Sequence, residues 1–426
     1  MDPSEPELDT PLAAANPAVE IVEELLPPPD QAGLGSFQSV AAVCLCGVFA
    51  FLNLYVTQPM LPLLERIFHA SKGMVGLTVS ASTLGVAISA PLLGAFAERM
   101  SRKRVIVTGI IALAVPTLLA ATSPGLHTLI FWRFLQGLIL PSIFAITITY
   151  IGEEWEHHAV PLVMSIYVSG TALGGFTGRL TAGLAAERLN WRWSFLLLGV
   201  LTLIGAAAVA RLLPAETRKL PETRQTGPAE QLKAMLVHFR NPRLVATFGV
   251  GFGMLFTLVA VFTYIDFYLA DAPFHLSTET LSYLFSIYLI GLIVTPMGGY
   301  MVRNVGMRKG IAGAIVACLM GALITLSHSL WVVVLAGLGL VCTGVFIAQA
   351  TAASFLRVAA PEGGRASAAG LYICCYYLGG TVGGELPSYV WDLGKWPACV
   401  ALVAGVLAVT LVVALVGWKM PESTRA

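Results

Sequence analysis

Long apolar runs alternate with short polar gaps over most of the chain. A helix needs ~20 apolar residues to cross a hydrocarbon core of ~30 Å, and runs of this length satisfy their backbone polar groups internally as helices. Twelve runs qualify, approximately 38–66, 74–97, 104–122, 127–151, 160–186, 192–212, 244–270, 279–302, 309–327, 330–356, 366–390 and 396–418. The pattern predicts an all-α membrane protein with twelve transmembrane helices, called spans 1–12.

The composition supports the same class. Of the 426 residues, 57% are hydrophobic and only 12% are charged, whereas soluble domains carry about 25% charged residues. The net charge of +1 does not favour a nucleic-acid partner. All seven cysteines lie inside apolar runs, and no metal-ligand spacing, nucleotide loop or nucleophile motif is present. We therefore expect a lipid-embedded protein with no metal, no cofactor and no enzymatic activity.

The distribution of Lys and Arg predicts the orientation, because cytoplasmic loops retain cations. With the N-terminus inside, 18 of the 25 cations fall in cytoplasmic gaps or the C-terminal tail, and five fall in outer gaps. Both termini are therefore predicted to be cytoplasmic. Residues 1–36 hold eight acidic residues, many prolines and no cation, which is typical of a disordered acidic tail.

The longest break between runs separates two halves. Residues 213–243 are polar and rich in cations, as expected for a cytoplasmic linker between domains. The prediction is an N-terminal six-helix bundle at 37–212 and a C-terminal one at 244–420.

The two halves repeat. The segment Tyr167–Gly175 in span 5 resembles Tyr372–Gly380 in span 11, 205 positions later. The cationic loop 94–103 likewise returns 204 positions later at 298–309. Parallel repeats of this kind place the substrate near the membrane midplane, between halves that rock for alternating access.

Three motifs carry a resemblance to a known family. The loop after span 2 has Gly94, Glu98, Arg99, Arg102 and Lys103, span 4 has Arg133-Phe-Leu-Gln-Gly137, and span 5 has Gly170, Gly174, Gly175 and Gly178. On these residues the chain resembles the major facilitator superfamily, and within it the drug/proton antiporter-like efflux proteins. The span 5 glycines are similar to the antiporter motif of that branch, although Gly175 stands where the family often has Pro.

The resemblance implies a part for Arg133 in proton coupling. A central Arg on a membrane helix costs ~2.5–3.5 kcal/mol on insertion scales and must find acceptors inside the protein, so a purely structural role that links spans 1, 2 and 4 stays open. Asp266 and Glu385 lie near the outer ends of spans 7 and 11 and are the candidate proton carriers. Solvation at the membrane interface for Asp266, and pairing with Arg179 or Lys395 for Glu385, stay open as alternatives. Arg179, near the outer face, would serve a gate or extend its charge towards the interface.

Two further sets complete the expected site. Aromatic and amide side chains cluster where a cavity between the halves is expected: Asn53, Tyr55, Gln58, Tyr264, Tyr268, Gln349, Tyr372 and Tyr376. Gly94, Glu98, Arg99 and Arg102 are expected to form a conformational latch with the start of span 11 when the inner ends of the halves meet. The glycine faces of spans 5 and 11 suit close helix contacts, expected against spans 8 and 2.

The favoured function is export of a small organic compound, drug-like or metabolite, by proton antiport. The alternative is a proton symporter or uniporter for a sugar or organic acid on the same fold, and a membrane receptor that senses a ligand is a third class. We expect a monomer in a bacterial inner membrane, with protons, the small-molecule substrate and the bilayer as its partners.

Overall fold

The computed structural model describes residues 37–97, 101–216, 235–295, 305–361 and 364–418. Every regular element within these residues is a helix. The α-helices are α1 (Phe37–Leu52), α2 (Leu61–Phe68), α3 (Lys72–Ala97), α4 (Arg102–Ala121), α5 (Leu126–Ile139), α6 (Pro141–Glu154), α7 (Val160–Arg188), α8 (Trp191–Leu212), α9 (Pro242–Ala270), α10 (Thr278–Leu284), α11 (Met307–Ile324), α12 (Gly339–Ala359) and α13 (Arg365–Gly417). Short 3₁₀ or π segments lie at Gln58–Met60, His238–Arg240, Phe285–Leu289 and Val332–Leu338.

Ten helical segments of the described chain are long and apolar enough to cross a membrane. The difference from the twelve predicted spans arises at two places. The helix of span 1, α1, has only 16 residues. Spans 11 and 12 fall in one 53-residue helix, α13, which contains non-helical backbone at Gly394 and Lys395. The all-helical membrane class predicted from the runs is confirmed.

Span 1 is broken in the middle. Residues 53–57 form turns between α1 and the 3₁₀ segment. The amide of Gln58 donates to the carbonyl of Tyr55 at 3.1 Å rather than to that of Leu54, its partner in an α-helix. Pro59, next along the chain, has no N–H to continue the helix. The break leaves backbone carbonyls in the core that need donors from elsewhere.

The span 5 glycines bring α7 against α1. A Cβ added at Gly170, Gly174 or Gly178 would lie 1.9–2.3 Å from carbonyl oxygens of α1, those of Cys44, Val48 and Leu52 respectively. These three glycines therefore pack within the N-terminal half, and the expectation that this face lies against span 8 is wrong. The contact of α7 with α10 occurs further along, at Gly183 and Ser282.

The same contact recurs in the C-terminal half. A Cβ added at Gly379 would lie 2.0 Å from the carbonyl oxygen of Phe252, and one at Gly383 would lie 2.5 Å from that of Phe256. These glycines follow Gly174 and Gly178 by 205 positions, and the two α9 residues follow Val48 and Leu52 by 204. Thus α13 packs on α9 as α7 packs on α1, which is the structural form of the sequence repeat.

The halves meet along α3 with α13 and along α7 with α10. Ser80 donates to the carbonyl of Thr381 at 2.9 Å, and the hydroxyls of Thr83 and Thr381 are 3.1 Å apart. Gly384 also lies against Ser80. Span 11 thus faces span 2, as expected. It does so through Gly384, whereas Gly379 and Gly383 pack on α9.

A second contact between the halves joins the C-terminal end of α7 to the N-terminal end of α10. Arg188 and Glu279 form an ion pair at 2.5 Å, and the carboxylate of Glu187 accepts a hydrogen bond from the amide of Thr278 at 3.2 Å. We call these four residues the clasp. They lie at helix ends that the charge pattern predicts to be outside.

At the opposite end, the described part of the linker packs on the start of α13. The Nε2 atom of His238 lies 2.7 Å from the hydroxyl of Ser367. Burial lowers the pKa of His238 below its ordinary value. The buried position of the ring therefore favours the neutral imidazole.

Candidate functional site

Arg133 on α5 is fully buried and all five of its N–H groups have acceptors. Its Nε donates to the carbonyl of Thr78 at 2.9 Å. Nη1 donates to the carbonyl of Asn53 at 2.6 Å and to the amide oxygen of Gln136. Nη2 donates to the carbonyl of Leu54 and, at 3.0 Å, to the hydroxyl of Ser82. Two of these acceptors are the carbonyls released by the break in span 1.

The surroundings of Arg133 are a polar layer inside the N-terminal half. Gln136 also donates to Thr117 on α4 at 2.8 Å, and Asn53 donates to Thr202 on α8 at 2.9 Å. The five acceptors of Arg133 are all neutral, and together they saturate its donors. The arrangement links α1, α3, α4, α5 and α8, and it places Asn53 in this layer rather than between the halves.

The second buried arginine, Arg179 on α7, lies at the interface of the halves. Its Nε donates to the side-chain oxygen of Gln58 at 2.8 Å, and its Nη1 donates to the carbonyl of Gly175 at 2.8 Å. Gln58 in turn donates to the hydroxyl of Thr263 on α9 at 3.2 Å. A hydrogen-bonded chain thus runs from α7 through span 1 to the C-terminal half.

Three aromatic rings surround the guanidinium of Arg179. Its Cζ lies 4.8 Å from the ring centroid of Tyr55, 4.9 Å from that of Phe285 and 4.6 Å from that of Tyr288. We call these three rings the aromatic cage. Distances below about 6 Å are those of cation–π contacts. Tyr55 belongs to the N-terminal half and the other two rings belong to the C-terminal half, so the cage forms only when the halves meet here.

Asp266 on α9 is fully buried, and neither carboxylate oxygen has a hydrogen-bond partner among the described residues. It lies one helical turn beyond Thr263. It is close enough to Arg179 for an electrostatic interaction, but the two side chains do not form an ion pair within 4 Å. A bare carboxylate in an apolar interior is costly unless it is neutralised or paired. Asp266 is therefore the buried acid whose surroundings favour uptake of a proton or a cation.

Other predicted cavity residues extend the same region. Tyr376 stacks with Tyr372 at 6.0 Å between ring centroids, and its hydroxyl is within electrostatic range of those of Tyr55 and Tyr288. The hydroxyl of Tyr372 is buried without a partner among the described residues. The structure thus gathers Tyr55, Gln58, Asp266, Tyr372 and Tyr376 from the predicted set.

The remaining predicted residues lie elsewhere. Tyr264 donates to the carbonyl of Gly384 at 3.0 Å and closes the seam between α9 and α13. Tyr268 stacks on Trp396 at 5.9 Å, beside a surface pocket of about 500 Å³. Gln349 is half-buried on α12. Glu385 lies by Gly73 at the start of α3, and one of its oxygens is buried without a partner among the described residues.

Half of the predicted latch falls outside the described residues, which include neither Glu98 nor Arg99. Gly94 lies in α3, and Arg102 begins α4. Arg102 is bound to Glu153 by two hydrogen bonds of 3.1 Å. The described part of the latch is therefore held within the N-terminal half.

Sequence reasoning gave little weight to Arg179, although it is the centre of the site. The available signal was a lone arginine inside an apolar run, the same signal that identified Arg133. Phe285 and Thr263 carried no signal, because an aromatic ring or a threonine within a membrane run is ordinary. Their importance follows only from the approach of the two halves.

Comparisons with known proteins agree with this architecture. A family model described as the Major Facilitator Superfamily matches residues 43–384. The "Uncharacterized MFS-type transporter YybF" of Bacillus subtilis is 31% identical over 365 residues, which cover 86% of this chain and 89% of the relative. The "Inner membrane transport protein YnfM" of Escherichia coli is 30% identical over 414 residues, covering 96% and 98% of the two chains.

Solved structures show the same fold at lower identity. A crystal structure of the nucleoside transporter NupG matches 89% of this chain and 100% of its own, with a TM-score of 0.72 and 16% identity. A bacterial homologue of the human lysosomal transporter Spinster, solved in an inward-facing and unoccupied conformation, has a TM-score of 0.66 at 14% identity. These likenesses concern the fold alone.

Proposed function

Because the chain belongs to the Major Facilitator Superfamily of membrane transporters, we propose that it exports a small organic compound in exchange for protons by alternating access. The proposal includes twelve transmembrane helices in two six-helix repeats, with both termini in the cytoplasm of a bacterial cell. Two features support the count. α1, the 3₁₀ turn and α2 together complete span 1, and the break at Gly394 and Lys395 divides α13 into spans 11 and 12.

The observation that carries the proposal is the unpartnered carboxylate of Asp266 beside the interface of the halves. A proton carrier in a transporter must be neutral in one step and charged in another. Asp266 has no hydrogen-bond donor among the described residues to stabilise its charge, while the cationic Arg179 lies within electrostatic range. Movement of Arg179 relative to Asp266 would therefore switch the carboxyl between these forms.

The other two candidates for proton coupling take lesser parts in this proposal. Glu385 is only partly buried and touches the start of α3, so it is a second acid on the route between Asp266 and the outer surface. Arg133 has every donor engaged by neutral acceptors, and we assign it to holding the N-terminal half together.

The clasp supports a particular state of the cycle. If the cation-rich loops face the cytoplasm, then the ends joined by Arg188 and Glu279 face outside. The described arrangement is then closed on the outside. An exporter in this state would take its compound from the cytoplasmic side.

The test uses purified full-length protein in proteoliposomes with an imposed pH gradient and a panel of dyes, drugs and sugars. We expect uptake or release of at least one organic compound to follow the gradient, in the direction opposite to the proton. Asp266→Asn should abolish the response to the gradient, whereas Asp271→Asn, an exposed acid five residues later, should leave it intact. Movement in the same direction as the proton would favour the symporter alternative, and an unaltered response in Asp266→Asn would remove Asp266 from the proposal.

A further inference from the structure

The aromatic cage has the chemistry of a receptor for an organic cation, and the guanidinium of Arg179 fills it. We propose that the transported compound is an organic cation whose charged group displaces Arg179 from the aromatic cage, and that the displaced guanidinium pairs with Asp266. This inference rests on the proposed transport function and names its substrate class. In this proposal Arg179 occupies the binding site of the compound and competes with it for the three rings.

The cage favours cations over anions. The guanidinium carbon lies within 4.9 Å of three ring centroids, and the face of an aromatic ring carries the negative part of its quadrupole. An anion could bind Arg179 only through the N–H groups of the guanidinium. Two of these N–H groups already donate hydrogen bonds, one to Gln58 and one to the carbonyl of Gly175. A ligand that takes the place of the guanidinium between the three ring faces is therefore favoured when it carries positive charge.

Arg179 can be displaced more readily than the other buried arginine. Its hydrogen bonds within the described residues go to one movable side chain, that of Gln58, and to one carbonyl in the preceding turn of its own helix. Arg133, by comparison, is fixed by three carbonyls, an amide and a hydroxyl from three helical regions. A side chain tethered on α7 can therefore leave the cage without disrupting the fold.

Asp266 supplies the destination for the displaced charge. It is buried and unpartnered among the described residues, and the groups within electrostatic range of the Arg179–Asp266 region are Tyr55, Tyr288 and Cys342. These three groups are neutral when protonated, so Arg179 is the charged partner available within this set. When the guanidinium arrives, the carboxyl loses its proton to solvent and an ion pair forms.

The charges balance through this step. Before binding, the site holds a cationic Arg179 and a protonated, neutral Asp266, for a net charge of one. After binding, it holds the ligand cation, the cationic Arg179 and the anionic Asp266, and the net charge is again one. Each monovalent cation that enters thus releases one proton, and the O–H bond of Asp266 is the bond that breaks.

Arg179 in the cage also gives the transporter a way to close when it carries no compound. The cage takes Tyr55 from one half and Phe285 and Tyr288 from the other. A cation between the rings draws the halves together, whether it is Arg179 or the ligand. An exchange cycle requires that the halves can also close after the compound has left, and Arg179 meets that requirement.

The first experiment measures equilibrium binding of tetraphenylphosphonium, a cation whose charge does not depend on pH, to the purified full-length protein. Arg179→Met removes the competitor and keeps an apolar side chain of similar length, so we expect binding to become at least about tenfold tighter, since a desolvated cation–π contact is worth ~2 kcal/mol and ~1.4 kcal/mol is tenfold. The matched control is Arg192→Met. Arg192 is stacked on one ring, Trp191 at 4.5 Å, outside the cage, and its loss should leave the affinity unchanged.

Two further variants keep the test decisive if Arg179→Met does not fold. Arg179→Lys retains the charge but not the planar stack, and we expect an intermediate gain in affinity. Phe285→Leu in the Arg179→Lys protein removes one ring face from the aromatic cage, and should weaken binding relative to Arg179→Lys alone. Phe131→Leu, at a residue that is 52% exposed on α5, is its control and should have no effect.

The second experiment counts protons released on binding, with a pH dye in weak buffer. The wild-type protein should release about one proton for each tetraphenylphosphonium bound, and Asp266→Asn should release none.

Two results would overturn the proposed substrate class. One is that Arg179→Met binds tetraphenylphosphonium no more tightly than wild type. The other is that an aromatic carboxylate such as benzoate binds the wild-type protein and no longer binds Arg179→Met. The transport function would still stand if the pH gradient drove another compound. Failure of every compound to respond to the gradient would overturn that function itself.

Discussion

Two buried arginines show how the same side chain serves two purposes. Arg133 finds five neutral acceptors within one half of the protein, whereas Arg179 bridges both halves through three rings and a single glutamine. Arginine suits both places because its fork stays charged and its plane can stack. The difference lies in what surrounds each one, and it separates a group that holds structure from a group that can move.

At Arg133 we predict a loss of stability rather than a selective loss of coupling. Arg133→Met removes the guanidinium donor from the carbonyl of Asn53 and leaves the carbonyl of Leu54 with the hydroxyl of Ser82 alone, and a buried unsatisfied group costs ~1–3 kcal/mol. Thermal unfolding of the detergent-solubilised variant should therefore occur at a clearly lower temperature. Arg133→Lys, with three donors for five acceptors, should recover part of the difference. A variant that melts like wild type but no longer responds to a pH gradient would restore the coupling role implied by the family resemblance.

The sequence identified Asp266 but not which residues would surround it. A charged residue in an apolar run stands out because its burial is costly. By contrast, 83% of the apolar window of α9 is buried, so its periodicity does not indicate which face meets the other half. Tyr264 was accordingly expected in the cavity and instead closes the seam with Gly384.

At the level of helices, the repeated glycine contacts hold each half together. The closest is at Gly178, where a Cβ would lie 1.9 Å from the carbonyl oxygen of Leu52. The repeat itself was visible in the sequence at a spacing of 205. The partner helix was not, because small residues permit close approach but do not specify which neighbour approaches.

We predict that Gly178→Ala forces α7 away from α1 and lowers the unfolding temperature, because the atoms it meets are backbone and cannot rotate aside. Gly152→Ala is the matched control. Gly152 lies in α6 with nothing within 4 Å of an added Cβ, and alanine is favoured over glycine in a helix by ~1 kcal/mol. That variant should be as stable as wild type or more so. Equal unfolding temperatures for the two variants would contradict the packing described for α7.

For the whole molecule, the clasp is the contact that we expect to bias the position of the two halves. Glu279→Gln removes the ion pair with Arg188 across the halves. The pair is exposed, and exposed pairs contribute little, so the ratio of closed to open outer ends should change only a few-fold. Distances between spin labels at Leu189 and Asp271, measured by pulsed electron resonance, should show a larger open fraction.

The control for the clasp is Glu156→Gln. Glu156 is exposed and lies 3.3 Å from His158, and both residues belong to the N-terminal half, so its loss should not change the label distances. If the two variants gave the same distance distribution as wild type, the clasp would have no part in holding the outer ends together. If both shifted it equally, the effect would be one of general surface charge.

The break in span 1 has a consequence for how the chain enters the membrane. The 16 residues of α1 cover about 24 Å at 1.5 Å each, less than the ~30 Å of the hydrocarbon core. Beyond them, the carbonyl of Asn53 accepts from a guanidinium that is synthesised 80 residues later, and the carbonyl of Leu54 accepts from the same guanidinium and from the hydroxyl of Ser82. We therefore expect the first span to reach its final, fully hydrogen-bonded form in the membrane only after the second and fourth spans have been made.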